Sequence, residues 1–153
     1  MLVQDIMSHA LRTATPETPL LDVVSVMCLY RFSGLPVVDD SGNLTGFIAE
    51  KDVLHRMFPS LEELMEQHGS VDYDQMMGRY RDVVDLKVKD LMSSGVVSVT
   101  PDMHILRAAT IIVRHKFRRI PVTENGKLVG MVSLGDIHKA IFQANLSKGL
   151  CAK

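Results

Sequence analysis

Two short polar segments carry the side chains best suited to bind a ligand. Ser133 and Asp136 lie three residues apart, and Arg118 and Arg119 are adjacent. A carboxylate offers two acceptor oxygens, a helix N-terminus favours anions, and a guanidinium can donate two parallel hydrogen bonds to phosphate oxygens. A structural role is equally open: Ser133 can cap a helix with Asp136 near the helix dipole, and the arginines can form a solvated basic helix end.

Both segments belong to an internal repeat. Residues 3–7, 15–16 and 35–37 return 85 positions later as residues 88–92, 100–101 and 120–122, and after a one-residue deletion residues 46–52 return as residues 130–136. A duplicated unit predicts two pseudo-symmetric halves with two related sites.

The two copies differ at the polar segments. Ala49 stands where the second copy has its serine, and Ser33-Gly34 stand where it has two arginines. Asp52 is retained, and by itself it is as consistent with a helix start as with a ligand contact. The comparison predicts unequal sites, with the binding chemistry kept mainly in the second copy.

The positioning elements follow from local patterns. Each copy predicts an extended segment (11–15; 96–100) before a Thr-Pro turn, then an amphipathic helix with apolar residues three and four apart. Two strands follow (35–38 and 44–48; 120–123 and 128–132), joined in the second copy by Asn125-Gly126, a strong hairpin signal. A closing helix is expected to begin near Asp52 and near Asp136. The predicted class is α/β, a β-α-β-β-α unit used twice.

This pattern divides the chain into four parts: repeat 1 over residues 1–57, a helical insert over 58–86, repeat 2 over 87–145 and a tail over 146–153. In the insert, Ser60 and Glu63 form a capping-box pattern, and residues 72–84 predict a second helix. Two interpretations stay open for it. It is either a spacer packed on the outside or a Met-rich element for dimerisation or partner docking.

Four motifs recur in the same order in both copies: the Asp-Ile/Leu-Met segments, the Thr-Pro turns, the x-Pro-Val strands and the Gly-x-x-[Ser/Thr/Ala]-x-x-Asp endings. Together they resemble the CBS domain, and the pair resembles a Bateman module. The resemblance covers roughly residues 1–57 and 87–142. It implies two CBS repeats related by pseudo-two-fold symmetry. It also implies a non-catalytic sensor, commonly a dimer, that binds AMP, ADP, ATP, S-adenosylmethionine or NAD in clefts between the repeats.

The resemblance also implies roles for particular residues. Asp136, and Asp52 in the first copy, would accept hydrogen bonds from two ribose hydroxyls. Ser133 would donate to a phosphate, and Arg119, with Arg118 beside it, would reach phosphate in one of the two clefts. Adenine contacts are implied at Val97, Val99, Thr100, Pro121 and Val122, where a purely structural role in the core is equally natural.

Composition and the absence of known motifs argue against several classes of function. The net charge of −1 argues against nucleic acid, and the absence of a long apolar run or a secretory leader predicts a cytoplasmic protein without membrane contact. No His-Glu-x-x-His, Cys-x-x-Cys, Gly-x-Ser-x-Gly or Walker A pattern occurs, so neither a metal site nor catalytic residues are predicted, and no cofactor is required. Cys28 is expected in the core.

The resemblance therefore implies a non-enzymatic regulatory homodimer that senses AMP, ADP or ATP and acts on an unidentified protein. The alternative is an interaction scaffold with vestigial clefts that docks partners through its insert. A small nucleotide-processing enzyme is a weaker third hypothesis.

Overall fold

The computed structural model describes residues 1–150, without the side chain of Leu150. Within this range the chain forms two compact units. One unit comprises residues 12–40 and 45–96 and is named the Asp52 unit. The other comprises residues 1–11, 41–44 and those from 97 onward and is named the Asp136 unit. Cys151 lies outside the described residues.

The first copy and the insert contain two strands and four helices, followed by a short helix at the start of the second copy. In chain order these elements are α1 (Leu20–Tyr30), β1 (Gly34–Val38), β2 (Leu44–Ala49), α2 (Glu50–Met57), α3 (Leu61–Glu66), α4 (Tyr73–Val84) and α5 (Val88–Leu91). β1 and β2 form a two-stranded sheet.

The remaining elements repeat this pattern. A 3-10 turn (Val3–Asp5) begins the chain, and α6 (Ile105–Arg114), β3 (Arg119–Glu124), β4 (Lys127–Ser133), α7 (Leu134–Asn145) and a π-helical turn (Leu146–Leu150) complete it. β3 and β4 pair antiparallel. Asn125 and Gly126 between them adopt φ of 52° and 81°, the left-handed conformations that a two-residue hairpin loop requires. The predicted hairpin is therefore confirmed.

Each sheet is extended by single-residue bridges on both sides. In the Asp136 unit, Ser8 pairs with Met131 and Val99 pairs with Val122. In the Asp52 unit, the equivalent bridges join Phe47 with Ser93 and Ala14 with Val37. The predicted first strands are thus reduced to bridges at residues 14 and 99. The closing helices begin at Glu50 and Leu134, two residues before the predicted aspartates.

The compact units do not coincide with the sequence repeats. Val3, from the first copy, is fully buried in the core of the Asp136 unit. Val88, its counterpart in the second copy, is fully buried in the core of the Asp52 unit. The leading segment of each copy therefore fills the hydrophobic core that the rest of the other copy provides.

The insert is an integral part of the Asp52 unit. Helix α4 packs on α1 and α2, where Val83 is 3% exposed within the core. Burial raises the pKa of Tyr80, which packs against the same core. Arg79 ties α4 to α3 through two hydrogen bonds to the Glu63 carboxylate, of 3.1 and 2.9 Å, and this contact lowers the pKa of Glu63.

The prediction that Cys28 lies in the core is wrong. Its thiol is exposed and free, beside an open cavity of about 160 Å³ that Val24 and Tyr80 also line. The buried residues of α1 are Leu20, Val23 and Met27, and Cys28 lies about 100° around the helix from the last of these. Cys28, the residue that follows Met27, therefore lies outside the buried stripe of α1.

Across residues 1–150, every helix is too short or too polar to traverse a lipid bilayer.

Candidate functional site

The turn of residues 133–136, named the Ser133 turn, is a complete capping box at the start of α7. The backbone N–H of Ser133 donates to Asp136 Oδ2 at 2.9 Å, and the N–H of Asp136 donates to Ser133 Oγ at 3.0 Å. The Ser133 hydroxyl also donates to Asp136 Oδ2 at 2.6 Å. The helix-start role considered for these residues is therefore present in the structure.

This capping leaves part of the Asp136 carboxylate available. All three hydrogen bonds of the turn involve Oδ2 or the serine hydroxyl, and none of the three uses Oδ1. Asp136 is also solvent-exposed. Since a carboxylate can accept about four hydrogen bonds, the residue can cap its helix and bind a ligand at the same time.

One part of this capping box, the hydrogen bond from a backbone N–H to an aspartate, occurs at four helix starts. In each case a backbone N–H donates to an aspartate three residues later, at 2.8–2.9 Å: Leu2 to Asp5, Ala49 to Asp52, Lys87 to Asp90 and Ser133 to Asp136. Retention of an aspartate in the repeat is thus explained by helix capping. The hydroxyl of the Ser133 turn is the feature that the other three turns lack.

Arg119 lies directly across the sheet from Ser133. The two residues are register partners in the β3–β4 ladder, which places their Cβ atoms about 4.5–5.5 Å apart. Arg119 is exposed at the first position of β3. Arg118 is also exposed, and its carbonyl accepts the Leu134 N–H at 3.2 Å. The structure therefore brings the predicted arginine to the predicted serine–aspartate turn.

Five residues were predicted to contact an adenine: Val97, Val99, Thr100, Pro121 and Val122. Val99 and Val122 are 1% and 0% exposed in the core of the Asp136 unit, and the backbone of Val99 is hydrogen-bonded to β3. The Thr100 hydroxyl donates to Asp102 at 2.5 Å. Val99 and Val122 therefore have the core role. Val97 is half-buried, and Pro121 is buried within β3.

Two hydroxyl residues at this sheet were not predicted from the sequence as candidate site residues. Ser98 and Thr123 are hydrogen-bonded at 2.9 Å through their side chains. Thr123 lies two and four residues from Pro121 and Arg119 on β3, so strand alternation places these three on one face. Ser98 lies between Val97 and Val99, and this polar residue between two apolar ones was the sequence pattern that could have indicated it.

The equivalent turn of the Asp52 unit, residues 49–52, is named the Ala49 turn. Ala49 cannot supply the hydroxyl, and Asp52 is half-buried. Gly34, which replaces the arginine, is imposed by packing: a Cβ there would lie 2.4 Å from the Phe47 ring and 3.0 Å from the Ile48 carbonyl oxygen. No side chain as large as arginine fits at this position without moving β2.

The Asp52 unit contains a second open cavity, of about 230 Å³, between α1 and the segment that precedes the first Thr-Pro turn. Its lining residues are Arg12, Thr13, Thr18, Asp22, Val23, Val26 and Leu35. This volume is below the roughly 300–1,000 Å³ of typical small-molecule sites. By itself the cavity has room for only a fragment of a nucleotide.

Charge is distributed unequally between the units. The Asp136 unit contains nine lysines and arginines against four aspartates and glutamates, a net of +5. The Asp52 unit contains eight against fourteen, a net of −6. The overall charge of −1 conceals this separation, and the positive unit is the one that holds the Ser133 turn. Residues 1–150 contain no group of three His, Cys, Asp or Glu side chains arranged to hold a metal ion.

The family model described as "CBS domain" matches residues 3–58 and 88–143. This chain belongs to the CBS domain family. Its mixed α/β architecture is that of a CBS pair.

Among its relatives, the chain is 30% identical to the uncharacterized protein MJ1426 of Methanocaldococcus jannaschii, over 92% of this chain and 91% of that protein. It is 27% identical to the CBS domain-containing protein YhcV of Bacillus subtilis, over 88% of this chain and 81% of YhcV.

A crystal structure of CBSX2 in complex with AMP matches with a TM-score of 0.73 and 25% identity, over 94% of this chain and 98% of that one. CBSX2 of Arabidopsis thaliana is longer than the crystallised part: the chain spans 59% of the complete chloroplastic protein.

Proposed function

We propose that this CBS pair is a non-catalytic regulatory module that binds an adenine nucleotide, with AMP, ADP or ATP as the preferred ligands, at the Ser133 turn. The observation that carries the proposal is the juxtaposition of Arg119, Ser133 and Asp136 at one edge of the positively charged unit. The AMP complex of CBSX2 supports the choice of ligand class.

The chemistry assigns different tasks to the three side chains. The hydrogen bonds of the Ser133 turn fall on Asp136 Oδ2, so Oδ1, with its two lone pairs, can accept from both ribose hydroxyls. Each charged hydrogen bond contributes about 1.5–3 kcal/mol. Arg119 supplies a fork of donors that matches phosphate oxygens.

Ser133 has a competing role. Its hydroxyl already donates to Asp136 at 2.6 Å, so donation to a phosphate requires that this hydrogen bond be exchanged. Arg119 is therefore the principal phosphate ligand, and Ser133 mainly orients the carboxylate. S-adenosylmethionine and NAD offer the same ribose contact, and the Ala49 turn is a weaker site suited to a less anionic adenosyl group.

Regulation would follow from a shift between arrangements of the module. A ligand biases such an equilibrium only by its different affinity for the two arrangements. The change would be read by a regulated partner protein, with the module acting as a homodimer in the cytoplasm.

Thermal unfolding with a panel of AMP, ADP, ATP, NAD, S-adenosylmethionine and adenosine tests the proposal. A ligand at about 100 times its Kd stabilises the folded state by about 2.7 kcal/mol, which raises the Tm by several degrees for a chain of this size. Inosine monophosphate and inorganic phosphate serve as controls for the base and the charge. A Tm that no member of the panel raises would contradict nucleotide binding.

A protein-interaction scaffold is the second candidate. It is favoured by the exposed apolar residues of the insert, of which Leu61, Met65, Tyr73 and Met77 are each 70–74% exposed. The scaffold hypothesis predicts that no nucleotide changes the Tm while substitutions in the insert abolish partner binding. The regulatory hypothesis predicts a nucleotide-dependent Tm in both the native chain and such insert variants.

A further inference from the structure

The cavity of about 230 Å³ in the Asp52 unit is lined by one basic and one acidic side chain, and the proposed function uses neither. Arg12 belongs to the segment that precedes the first Thr-Pro turn, and Asp22 lies in the first turn of α1. Residues 49–52 contribute nothing to the described lining, so the cavity is distinct from the Ala49 turn. Three apolar side chains complete the part of the wall that matters here: Val23, Val26 and Leu35.

The Arg12 side chain is held in place by an aromatic ring. Its guanidinium carbon lies 3.6 Å from the centroid of the Tyr30 ring. Stacking of this kind uses the flat face of the guanidinium, and the N–H groups in its plane stay available as donors. The Tyr30 ring in turn stacks on Phe32, with the ring centroids 6.2 Å apart. Arg12 is therefore a pre-positioned donor for a carboxylate.

Asp22 supplies a negative charge towards the other end of α1. Tyr30, which carries the Arg12 guanidinium, lies a little over two helical turns later, a rise of about 12 Å. Asp22 is exposed, and in the described part of its own unit no lysine or arginine forms an ion pair with it. Its carboxylate can accept hydrogen bonds from an ammonium group.

The second copy lacks this pair of charges. Val97 and Arg107 stand at the positions equivalent to Arg12 and Asp22. The duplicated fold therefore forms without a base and an acid at these two positions. The pair is particular to the Asp52 unit and is not explained by the repeat.

We propose that this cavity binds a linear zwitterion, an ω-amino acid whose ammonium group lies on Asp22 and whose carboxylate lies on Arg12. The methylene chain between them would cover the apolar side chains of the wall. A hydrogen bond of about 2.9 Å at each end of the 12 Å rise leaves roughly 6 Å between the charged groups of the ligand, the length of about four methylenes.

The size of the cavity fits a ligand of this class. An apolar cavity of roughly 150 Å³ holds benzene, so about 230 Å³ is sufficient for a short chain with a charged group at each end. An α-amino acid carries both charges at one end and cannot reach both residues. The site belongs to a different unit from the Ser133 turn, so it is independent of the proposed nucleotide binding.

An NMR titration of the intact chain with four small probes tests the proposal. δ-Aminovalerate has its charges at opposite ends, valerate lacks the ammonium group, pentylamine lacks the carboxylate, and norvaline is the isomer with both charges at one end. δ-Aminovalerate should bind about tenfold more tightly than each of the others, because it alone makes both charged contacts. Equal affinity for δ-aminovalerate and either valerate or norvaline would overturn the proposal.

Two variants assign the ends of the ligand. Asp22→Asn should weaken δ-aminovalerate binding about tenfold and leave valerate binding unchanged. Arg12→Gln should weaken the binding of δ-aminovalerate and valerate alike and leave pentylamine binding unchanged. A misfolded variant would lose all the probes, so this crossed pattern separates a lost contact from a lost fold.

Exposed charges elsewhere in the Asp52 unit provide the matched controls. Asp40→Asn and Arg56→Gln make the same changes of charge and should bind δ-aminovalerate as the native chain does. AMP affinity should be the same in all four variants, so a failure here is distinguishable from a failure of nucleotide binding. Asp22→Asn and Arg12→Gln variants that keep native affinity for δ-aminovalerate would overturn the proposal.

Discussion

The Ser133 turn and the Ala49 turn have the same backbone capping with different side-chain chemistry. In both, a backbone N–H donates to an aspartate three residues later at 2.9 Å. Only the Ser133 turn adds a hydroxyl that also binds the carboxylate. The comparison shows that an aspartate in this position caps the helix start in both units. Its presence alone therefore does not identify a ligand site.

The two turns also differ in the residue that begins the neighbouring strand, Arg119 in one unit and Gly34 in the other. Arg119 is exposed opposite Ser133, whereas Gly34 adjoins the Phe47 ring so closely that a Cβ would overlap it. The absence of the arginine in the Asp52 unit is thus enforced by packing. The proposed inequality of the two sites therefore rests on the Phe47 ring at Gly34 as well as on the missing polar groups.

The largest expected effect separates the two aspartates. Asp136→Ala should weaken AMP binding about 100-fold, because two charged hydrogen bonds to the ribose would be lost. Asp52→Ala should weaken it by less than about threefold. Titration calorimetry measures both affinities. Similar losses in the two variants would contradict the proposed asymmetry.

The two variants also provide a control for each other. Each removes an aspartate that caps a helix, so their free energies of unfolding should fall by similar amounts, on the order of 1 kcal/mol. Urea denaturation checks this. A difference in AMP affinity at equal stability therefore reports binding and excludes partial unfolding as its cause.

The next effect concerns the phosphate. Arg119→Gly, which introduces the residue found at the equivalent position of the first copy, should weaken AMP binding by about tenfold. Adenosine affinity should change little, since the nucleoside has no phosphate. Arg118→Gly is the matched control and should have the smaller effect. An equal loss of AMP and adenosine affinity would show that Arg119 has a different role.

A smaller effect is expected on stability from exchanging the capping residues. Ser133→Ala should lower the free energy of unfolding by about 1 kcal/mol, because the N-cap hydroxyl is removed. Ala49→Ser should raise it by a few tenths to 1 kcal/mol by completing the box at α2. Urea denaturation of the four combinations measures both changes. The stabilising change in particular would fail if Ala49 has no room for a hydroxyl.

The smallest expected effect is on stability, and it concerns an ion pair that the leading segment of the second copy makes and that of the first copy cannot. Glu17 pairs with Lys87 and Lys89 at 2.7 and 2.8 Å, and these contacts lower its pKa from 4.5 to about 2. The counterparts of the lysines in the first copy are the uncharged Leu2 and Gln4. Because the folded-state pKa is depressed, the stabilisation is complete above pH 4.5 and is lost as the pH falls towards 2.

Glu17→Gln should therefore slightly destabilise the chain at pH 7, with a difference that vanishes between pH 4.5 and pH 2. Denaturation curves at several pH values measure it. Asp102→Asn, at the equivalent position of the Asp136 unit, serves as the comparison. A Glu17→Gln difference that persists unchanged at pH 2 would exclude the ion pair as its cause.

Much of this molecule was predictable because its signals are local. The 3.6-residue periodicity indicated α1 and α6, Asn125-Gly126 indicated the β3–β4 hairpin, and the pattern at Ser60 indicated α3 with its observed capping box. Cys28 was misplaced because periodicity gives the spacing of a buried stripe more reliably than its edges. Which neighbour covers an edge position depends on the packing of α2 and α4.

The sequence by itself determined that one β-α-β-β-α unit is used twice and that its polar chemistry is concentrated in the second copy. The tertiary structure decided which core each leading segment fills. Val3 and Val88 are both valines within similar segments, so their composition cannot distinguish between two similar cores. The structure also set the β3–β4 register that brings Arg119 to Ser133 and the packing that excludes a side chain at Gly34. These features depend on contacts between residues distant in sequence, which no local pattern specifies.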